Sequence, residues 1–373
     1  MTIAAHIHSQ HINDLETNFN FQTLALLAAE YPDHHFIFIF DSPFDTEMIR
    51  CKNITPVLLG PSIKNNLLLH YWYNYKIPRL LLKYNADIFL SAGMYCSLRT
   101  EVKQCIFIPD LTFLKKNKLN SSADERYLRR FYKRFITKAG SIIMWNDFLQ
   151  KKICEIYLPA IAKIGVINNN SGFPDKQFDP DINQLTRQQY AEDKEYFVCF
   201  VTDASIGNTV LTLKAFSAFK KLQLSNMKLI FAVSKMNVEA INKDLINYKY
   251  RTEVKIVLCD DINTANRITA AAYASLYLPS EERMENKWLL SIKNEIPIIT
   301  VDTDFAKAIC GEAALYTLLE EKKIAEKMMN LYKDENLRKS IMHQASLKAA
   351  NISPAITAAA LWKVMTITEV QNS

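Results

Sequence analysis

The sequence predicts an α/β protein made of two doubly wound domains in series. Short apolar runs alternate with helical patterns in both halves. A polar stretch at 173–195 interrupts that alternation near the middle. The 373 residues also exceed one ordinary domain. Alternation of this kind indicates parallel sheets covered by helices on both faces.

The first half reads in order. TIAAHIHS is a strand and NFNFQTLALLAAEYP a helix; HHFIFIFD and ITPVLLG are strands. One long aromatic helix is expected from about Ile63 to Tyr84, with a kink or start at Pro78. ADIFLSA and QCIFIPD are strands, ADERYLRRFYKRFITKA a helix, SIIMW a strand, NDFLQKKICEIY a helix and KIGVINN a strand. Domain 1–172 closes there, and the two prolines and many charges of 173–195 read as a linker.

In the second domain, 196–350, YFVCFVTD, KLIFAVS, EVKIVLCDD, SLYLPS and PIITVD read as strands separated by helices. The segment 351–373, with PAITAAALWKVMTI, reads as a final helix packing back on the first domain. Ligands of open parallel sheets lie beyond the carboxyl ends of the strands. With two such domains the site is expected in the cleft between them. The strand-ending polar residues are then His8, Ser9, Asp110, Asn146, 168–170, Asp203, Lys235, Asp260, Asp261, 280–282 and Asp302.

Composition narrows the function. Apolar residues are 49% and charged residues 23%, with no apolar run near the ~18 residues of a membrane span. The N-terminus has no basic region ahead of its apolar stretch, so a cytoplasmic protein is expected. A net charge of +6 allows weak attraction to phosphates or anionic lipid and does not point to nucleic acid. Seven scattered cysteines without C-x-x-C read as reduced thiols in apolar strands. Seven glycines, against about 26 expected at roughly 7% usage, argue against a Gly-rich phosphate loop. No GxxxxGK[ST], GxGxxG, GxSxG or HExxH occurs. His6, His8 and His11 form H-x-H-x-x-H at a strand end, but the other histidines supply no second half for a metal site. HYWYNY at 70–75 reads as core packing.

The order of several segments resembles the family 4 glycosyltransferases of the GT-B fold. EYFVCFVTDASIGNTVLTLKAFSAFKK, MKLIFAVSK, AAAYASLYLPSEE, NEIPIITVD and ICGEAALY fall in the family's order in the second domain. KIPRLLLKYNADIFLSA, CIFIPDLTFL and AGSIIMWNDFLQKKICEIY do so in the first. The resemblance implies a GT-B-like pair of Rossmann-like domains and a retaining transfer of sugar from a nucleotide-diphosphate donor. It implies no metal and no separate cofactor.

It also nominates residues. The family's acidic motif holds two glutamates eight positions apart around a Gly-Phe-Gly turn. Glu282 takes the first place, Leu290 or Ser291 the second, and Arg283-Met284-Glu285 stands where the glycine turn would be. Ser280 keeps the Pro-Ser turn, and Asn208 keeps half of the family's Lys-Asn. Lys235 and Arg283 are the cations for the donor diphosphate. Asp110 survives from a His-Asp pair that approaches the sugar, its histidine replaced by Pro109, and the resemblance makes Glu282 and Asp110 the catalytic candidates. His8 and His11 are placed on the acceptor side. The acceptor class is a glycan or a lipid-linked molecule. The basic amphipathic helix 123–139 (Arg126, Arg129, Arg130, Lys133, Arg134, Lys138) is the expected peripheral contact with the inner face of a membrane. Simultaneous loss of the second glutamate, a cation, the His and the glycines carries a rival reading: a non-catalytic glycosyltransferase-like binding or partner subunit.

Overall fold

The computed structural model describes residues 1–7, 18–61, 63, 65–91, 93–114, 123–157, 163–167, 180–282 and 285–370. The chain divides into two compact units, 1–172 with 353–373, and 173–352.

Unit 1 begins with β1 (Thr2–Ile7), α1 (Asn18–Glu30), β2 (His35–Phe40), β3 (Ile54–Leu58), α2 (Asn66–Tyr71) and α3 (Ile77–Lys83). It continues with β4 (Ile88–Leu90), β5 (Lys103–Ile108), α4 (Ala123–Lys138), β6 (Ser141–Met144), α5 (Asp147–Ile156) and β7 (Ile164–Val166). The strands form one parallel sheet in the order β3-β2-β1-β4-β5-β6-β7. Phe36 to Phe40 are all buried, so consecutive residues on both faces of β2 are covered. A continuous apolar run of this kind is what a parallel strand sandwiched between helices needs.

The long aromatic helix predicted over 63–84 is instead three pieces. Between α2 and α3 the chain widens into a π-helical turn, Trp72–Lys76. Pro78 lies in the first turn of α3. Proline lacks an N–H and its ring presses on the carbonyl four residues back, here Asn74, so a widened turn before it relieves the helix. The turn aims Trp72, Tyr73 and Asn74 into the core. Asn74 Oδ1 accepts from Leu98 N at 2.8 Å, and its Nδ2 donates to His70 O at 2.9 Å. HYWYNY is therefore mostly core, as its composition predicts.

Unit 2 comprises α6 (Pro180–Ala191), β8 (Tyr196–Val201), α7 (Thr209–Gln223), β9 (Lys228–Val233), α8 (Val238–Leu245), β10 (Val254–Leu258) and α9 (Ile262–Ala270). It continues with β11 (Ala274–Tyr277), α10 (Lys287–Lys293), β12 (Ile298–Val301), α11 (Asp304–Cys310), β13 (Ala314–Thr317), α12 (Glu321–Lys333) and α13 (Glu335–Ala349). Its parallel sheet runs β10-β9-β8-β11-β12-β13. Helix α6 falls inside the polar stretch that reads as a linker. Pro180 opens it, where a missing N–H costs nothing, and Asp181 sits in its positively polarised first turn. Thr186 and Ala191 are its buried contacts, which is too small an apolar stripe to stand out in the sequence.

The last helix, α14 (Pro354–Val370), belongs to unit 1. Trp362 stacks on Tyr31 of the α1–β2 connection, with ring centroids 3.9 Å apart and planes 12° apart. Val364 lies against Gly165 of β7. All seven cysteines are free, and Cys96, Cys105, Cys199 and Cys310 are buried. Among the described residues no helix is long and apolar enough to cross a membrane.

Candidate functional site

In unit 2, β8 and β11 are hydrogen-bonded neighbours, yet the chain leaves them in opposite directions. From β8 it runs outward to β9 and β10, and from β11 to β12 and β13. This reversal is the crevice where open α/β sheets bind ligands.

The two turns that form it are tied together. Beyond β8, Ser205 Oγ accepts from Thr202 N at 2.9 Å and donates to Phe200 O at 3.2 Å. A 3₁₀ turn, Ile206–Asn208, then leads into α7. Asn208 Nδ2 reaches across to Leu278 O at 2.7 Å and Ser280 Oγ at 3.0 Å. Ser280 N returns a bond to Ala204 O at 2.7 Å. Asn208 and Ser280, nominated 72 residues apart, are therefore in contact. The N–H groups of Ile206 and Asn208 are spent inside the turn, on Thr202 O and Ser205 O, which leaves side chains to supply positive charge.

The other nominees are placed as follows. Glu282 is half-buried just past Ser280, and its carboxylate has no hydrogen bond or ion pair among the described residues. Lys235 opens the 3₁₀ turn after β9; its N–H donates to Asp260 Oδ1 at 3.2 Å, while its exposed ammonium is unpaired among the described residues. Arg283, His8 and His11 lie outside the described residues. Asp110 belongs to unit 1. Its Oδ1 accepts from Thr112 N at 2.9 Å and Thr112 Oγ1 at 2.6 Å, so in this structure it caps the short helix Thr112–Leu114. Leu290 and Ser291, the alternatives for the second glutamate, are both buried on α10, with Ser291 Oγ donating to Lys287 O at 3.1 Å. Asn146 caps α5 by accepting from Leu149 N at 2.9 Å. Asp261 caps α9, and hydrogen bonds from Thr264 hold its carboxyl below the usual range. Gly311 sits at φ +55°, a backbone conformation that residues with a side chain rarely adopt.

Sequence reasoning passed over Glu285. Its side chain is 3% exposed. One carboxylate oxygen accepts from Thr202 Oγ1 at 3.1 Å and the other from Tyr277 OH in a short bond. Tyr277 in turn packs edge-on against Trp288, with centroids 4.7 Å apart. One carboxylate therefore fixes the end of β8 to β11 and to the approach to α10. The signal was present as an acidic residue two positions before an apolar helix, but it reads equally as a solvated helix start.

Unit 1 has a corresponding reversal between β1 and β4. A buried polar chain occupies it. His6 Nδ1 lies 2.8 Å from Tyr73 OH, which lies 3.0 Å from Ser91 Oγ, and His6 Nε2 is 3.9 Å from Asp41 Oδ2. Burial drives the Tyr73 phenol far above its ordinary range, so it stays protonated. Among the described residues no three His, Cys, Asp or Glu side chains are grouped to hold a metal ion.

No protein-family model matches the chain, and no curated protein sequence matches it. Solved structures match along nearly its full length. A glycosyltransferase involved in lipopolysaccharide biosynthesis, WaaG, is 14% identical over 98% of this chain and 100% of its own, with a TM-score of 0.73. HepE of Anabaena, solved with UDP and glucose, is 14% identical over 98% and 99%, at 0.71. Sucrose-phosphate synthase of Thermosynechococcus elongatus is 12% identical over 100% of both chains, at 0.73. The fold is thus GT-B: two Rossmann-like parallel-sheet domains, as the sequence predicts.

Proposed function

We propose that the chain is a glycosyltransferase, similar to the family 4 enzymes. It moves a sugar from a nucleoside-diphosphate donor to a glycan or lipid-linked acceptor, with retention at the anomeric carbon. The observation that carries the reading is the crevice of unit 2. There Asn208 and Ser280 lock two turns together, with the Glu282 carboxylate, unpartnered among the described residues, beside them. Lys235 lies beyond the carboxyl end of the next strand, β9. GT-B neighbours over the whole chain, one solved with UDP and glucose, support the same reading.

In this reading Glu282 grips the donor sugar, and Ser280 and Asn208 shape the turn against which the donor lies. Lys235 and Arg283 stabilise the departing diphosphate. The acceptor hydroxyl oxygen bonds to the anomeric carbon, the carbon–oxygen bond to the diphosphate breaks, and the hydroxyl proton passes to the leaving diphosphate. Asp110 is assigned a catalytic role at the sugar together with Glu282, in addition to its turn-capping bonds, and His8 and His11 are assigned to the acceptor side. The reaction so written uses no metal and no further cofactor. The basic face of α4 is assigned a peripheral contact with the inner face of the membrane, in keeping with a cytoplasmic location.

Calorimetry with UDP-, GDP- and ADP-sugars tests the reading. One donor should bind, UDP-sugars being tried first. Glu282→Ala should then cut turnover by about 10²-fold or more while leaving the unfolding midpoint unchanged. Silence with every donor sinks the proposal. Binding without any turnover leaves a donor-binding protein in place of an enzyme.

A further inference from the structure

Helices α2 and α4 of unit 1 flank an open groove of about 490 Å³, two of whose lining residues, Arg126 and Arg130, come from the basic face of α4. Both helices follow strands, β3 and β5, so their first turns lie at the carboxyl edge of the sheet. Asn66 and Leu67 come from the first turn of α2, and Arg126 and Tyr127 from the start of α4.

The lining has two chemistries. Arg126 and Arg130 are four residues apart, hence neighbours on one helical face, and both are exposed. Arg130 has one partner among the described residues, the Phe131 ring at 5.5 Å. Among the described residues no carboxylate lines the groove; Asp124 and Glu125, on the opening turn of α4, are not among its lining residues. His70 lies on the α2 side, with Nδ1 2.9 Å from Tyr127 OH. Its pKa is lowered first by burial and then by Arg99 and Arg134, which fits a positive field at that wall. The second chemistry is apolar. Leu67 is 84% exposed at the rim, with the half-buried Phe131 and Tyr127 rings behind it. An exposed leucine in one groove with two exposed arginines is a combination that neither an inorganic anion nor a neutral sugar satisfies alone.

We propose that this groove binds a phosphate-bearing amphiphile. Its anionic head lies in the fork of Arg126 and Arg130, and the first carbons of its chain run over Leu67 and Phe131. The volume is that of a small-molecule site, large enough for a phosphate head and several methylenes. The guanidinium forks match phosphate oxygens in geometry and charge. The site captures a single molecule and goes beyond a diffuse attraction of the α4 surface to a membrane. It stands whether or not the chain transfers sugar.

Calorimetry on the full chain tests it with four probes. These are dodecyl phosphate below its micellar concentration, inorganic phosphate, the neutral dodecyl maltoside, and vesicles with and without phosphatidic acid. Dodecyl phosphate should bind one to one, at least tenfold more tightly than inorganic phosphate or the neutral detergent. Arg130→Gln should weaken it about tenfold, and Arg126→Gln with Arg130→Gln further. Leu67→Ser should weaken dodecyl phosphate and leave inorganic phosphate unchanged. Equal affinity for the neutral detergent, an unaltered double-Gln variant, or binding only to anionic vesicles would each overturn the proposal.

Discussion

Replacing Gly165 by alanine should strike the junction that holds α14 to unit 1. A Cβ at that position would lie 2.3 Å from Val364 Cγ2, 3.1 Å from Cγ1 and 3.3 Å from Cβ. Carbon atoms rest at about 3.5–4.0 Å, so the nearest methyl overlaps by more than 1 Å. Val364 is β-branched on a helix, where one χ1 rotamer dominates, so rotation offers little escape. Overpacking of this kind costs about 1–3 kcal/mol, and about 2 is expected here. Val364→Ala alone should cost about 1 kcal/mol for two half-buried methyl groups. In the double variant the remaining Cβ contact starts near 3.3 Å and needs only a small shift to relax. The double variant should therefore be about 1–2 kcal/mol more stable than the sum of the two single losses predicts. Urea titration followed by tryptophan fluorescence reads this directly, because Trp362 sits on α14 and stacks on Tyr31. Full stability of Gly165→Ala, or additivity within about 0.5 kcal/mol, refutes the packing argument.

Three further outcomes are expected. Glu285→Ala removes two hydrogen bonds to a buried carboxylate and should lower stability by about 3 kcal/mol, at about 1.5 each, with Glu285→Gln losing less; an unchanged urea midpoint for Glu285→Ala would show that the carboxylate is not tying β8 to β11. Asn208→Ala strips a donor from the buried Leu278 carbonyl and from Ser280, and should cost about 1–2 kcal/mol in unfolding while weakening any donor nucleotide in calorimetry; undiminished nucleotide affinity would remove Asn208 from the site. Burial pushes the thiols of Cys96, Cys105 and Cys199 up to about 12, so at pH 8 about one in 10⁴ is thiolate. Iodoacetamide should spare all three in the folded protein, and their residual rate should climb about tenfold per pH unit through pH 9, because raising the pH populates the reactive form. Peptide mapping that finds any of them modified as fast as a free cysteine contradicts their burial.

The strands were legible because each is a short apolar run with both faces covered: FIFIF, YFVCFV and KLIFAV leave no alternative to a buried parallel strand. Asn208 was nominated by the resemblance and Ser280 also by its place at the end of a strand, and the structure brings the two into contact. Other features depended on distant partners. Glu285 is a buried hub only because Thr202 lies 83 residues away in the chain and beside it in space. The π turn at Trp72–Lys76 depends on Pro78 acting inside a helix that otherwise reads as continuous. Helix α6 hid in a polar stretch because only a narrow side of it is covered. The groove between α2 and α4 joins residues some 60 positions apart, so arginines that read only as a basic membrane-facing helix surface prove to line a groove with Leu67 and His70.

The placement of α14 makes unit 1 discontinuous, and this has a consequence for the order of synthesis. About 190 residues separate Val166 from Pro354. At about 5–20 residues per second, a ribosome takes roughly 10–40 s to cover them. Throughout that interval the ring of Tyr31 and the flank of β7 at Gly165 face solvent without Trp362 and Val364. Unit 2, contiguous from 173 to 352, has every one of its elements before α14 exists. The nascent chain therefore completes its second domain before its first. For those seconds the first domain carries an uncovered apolar seam that a chaperone, or a neighbouring chain on the same message, can reach.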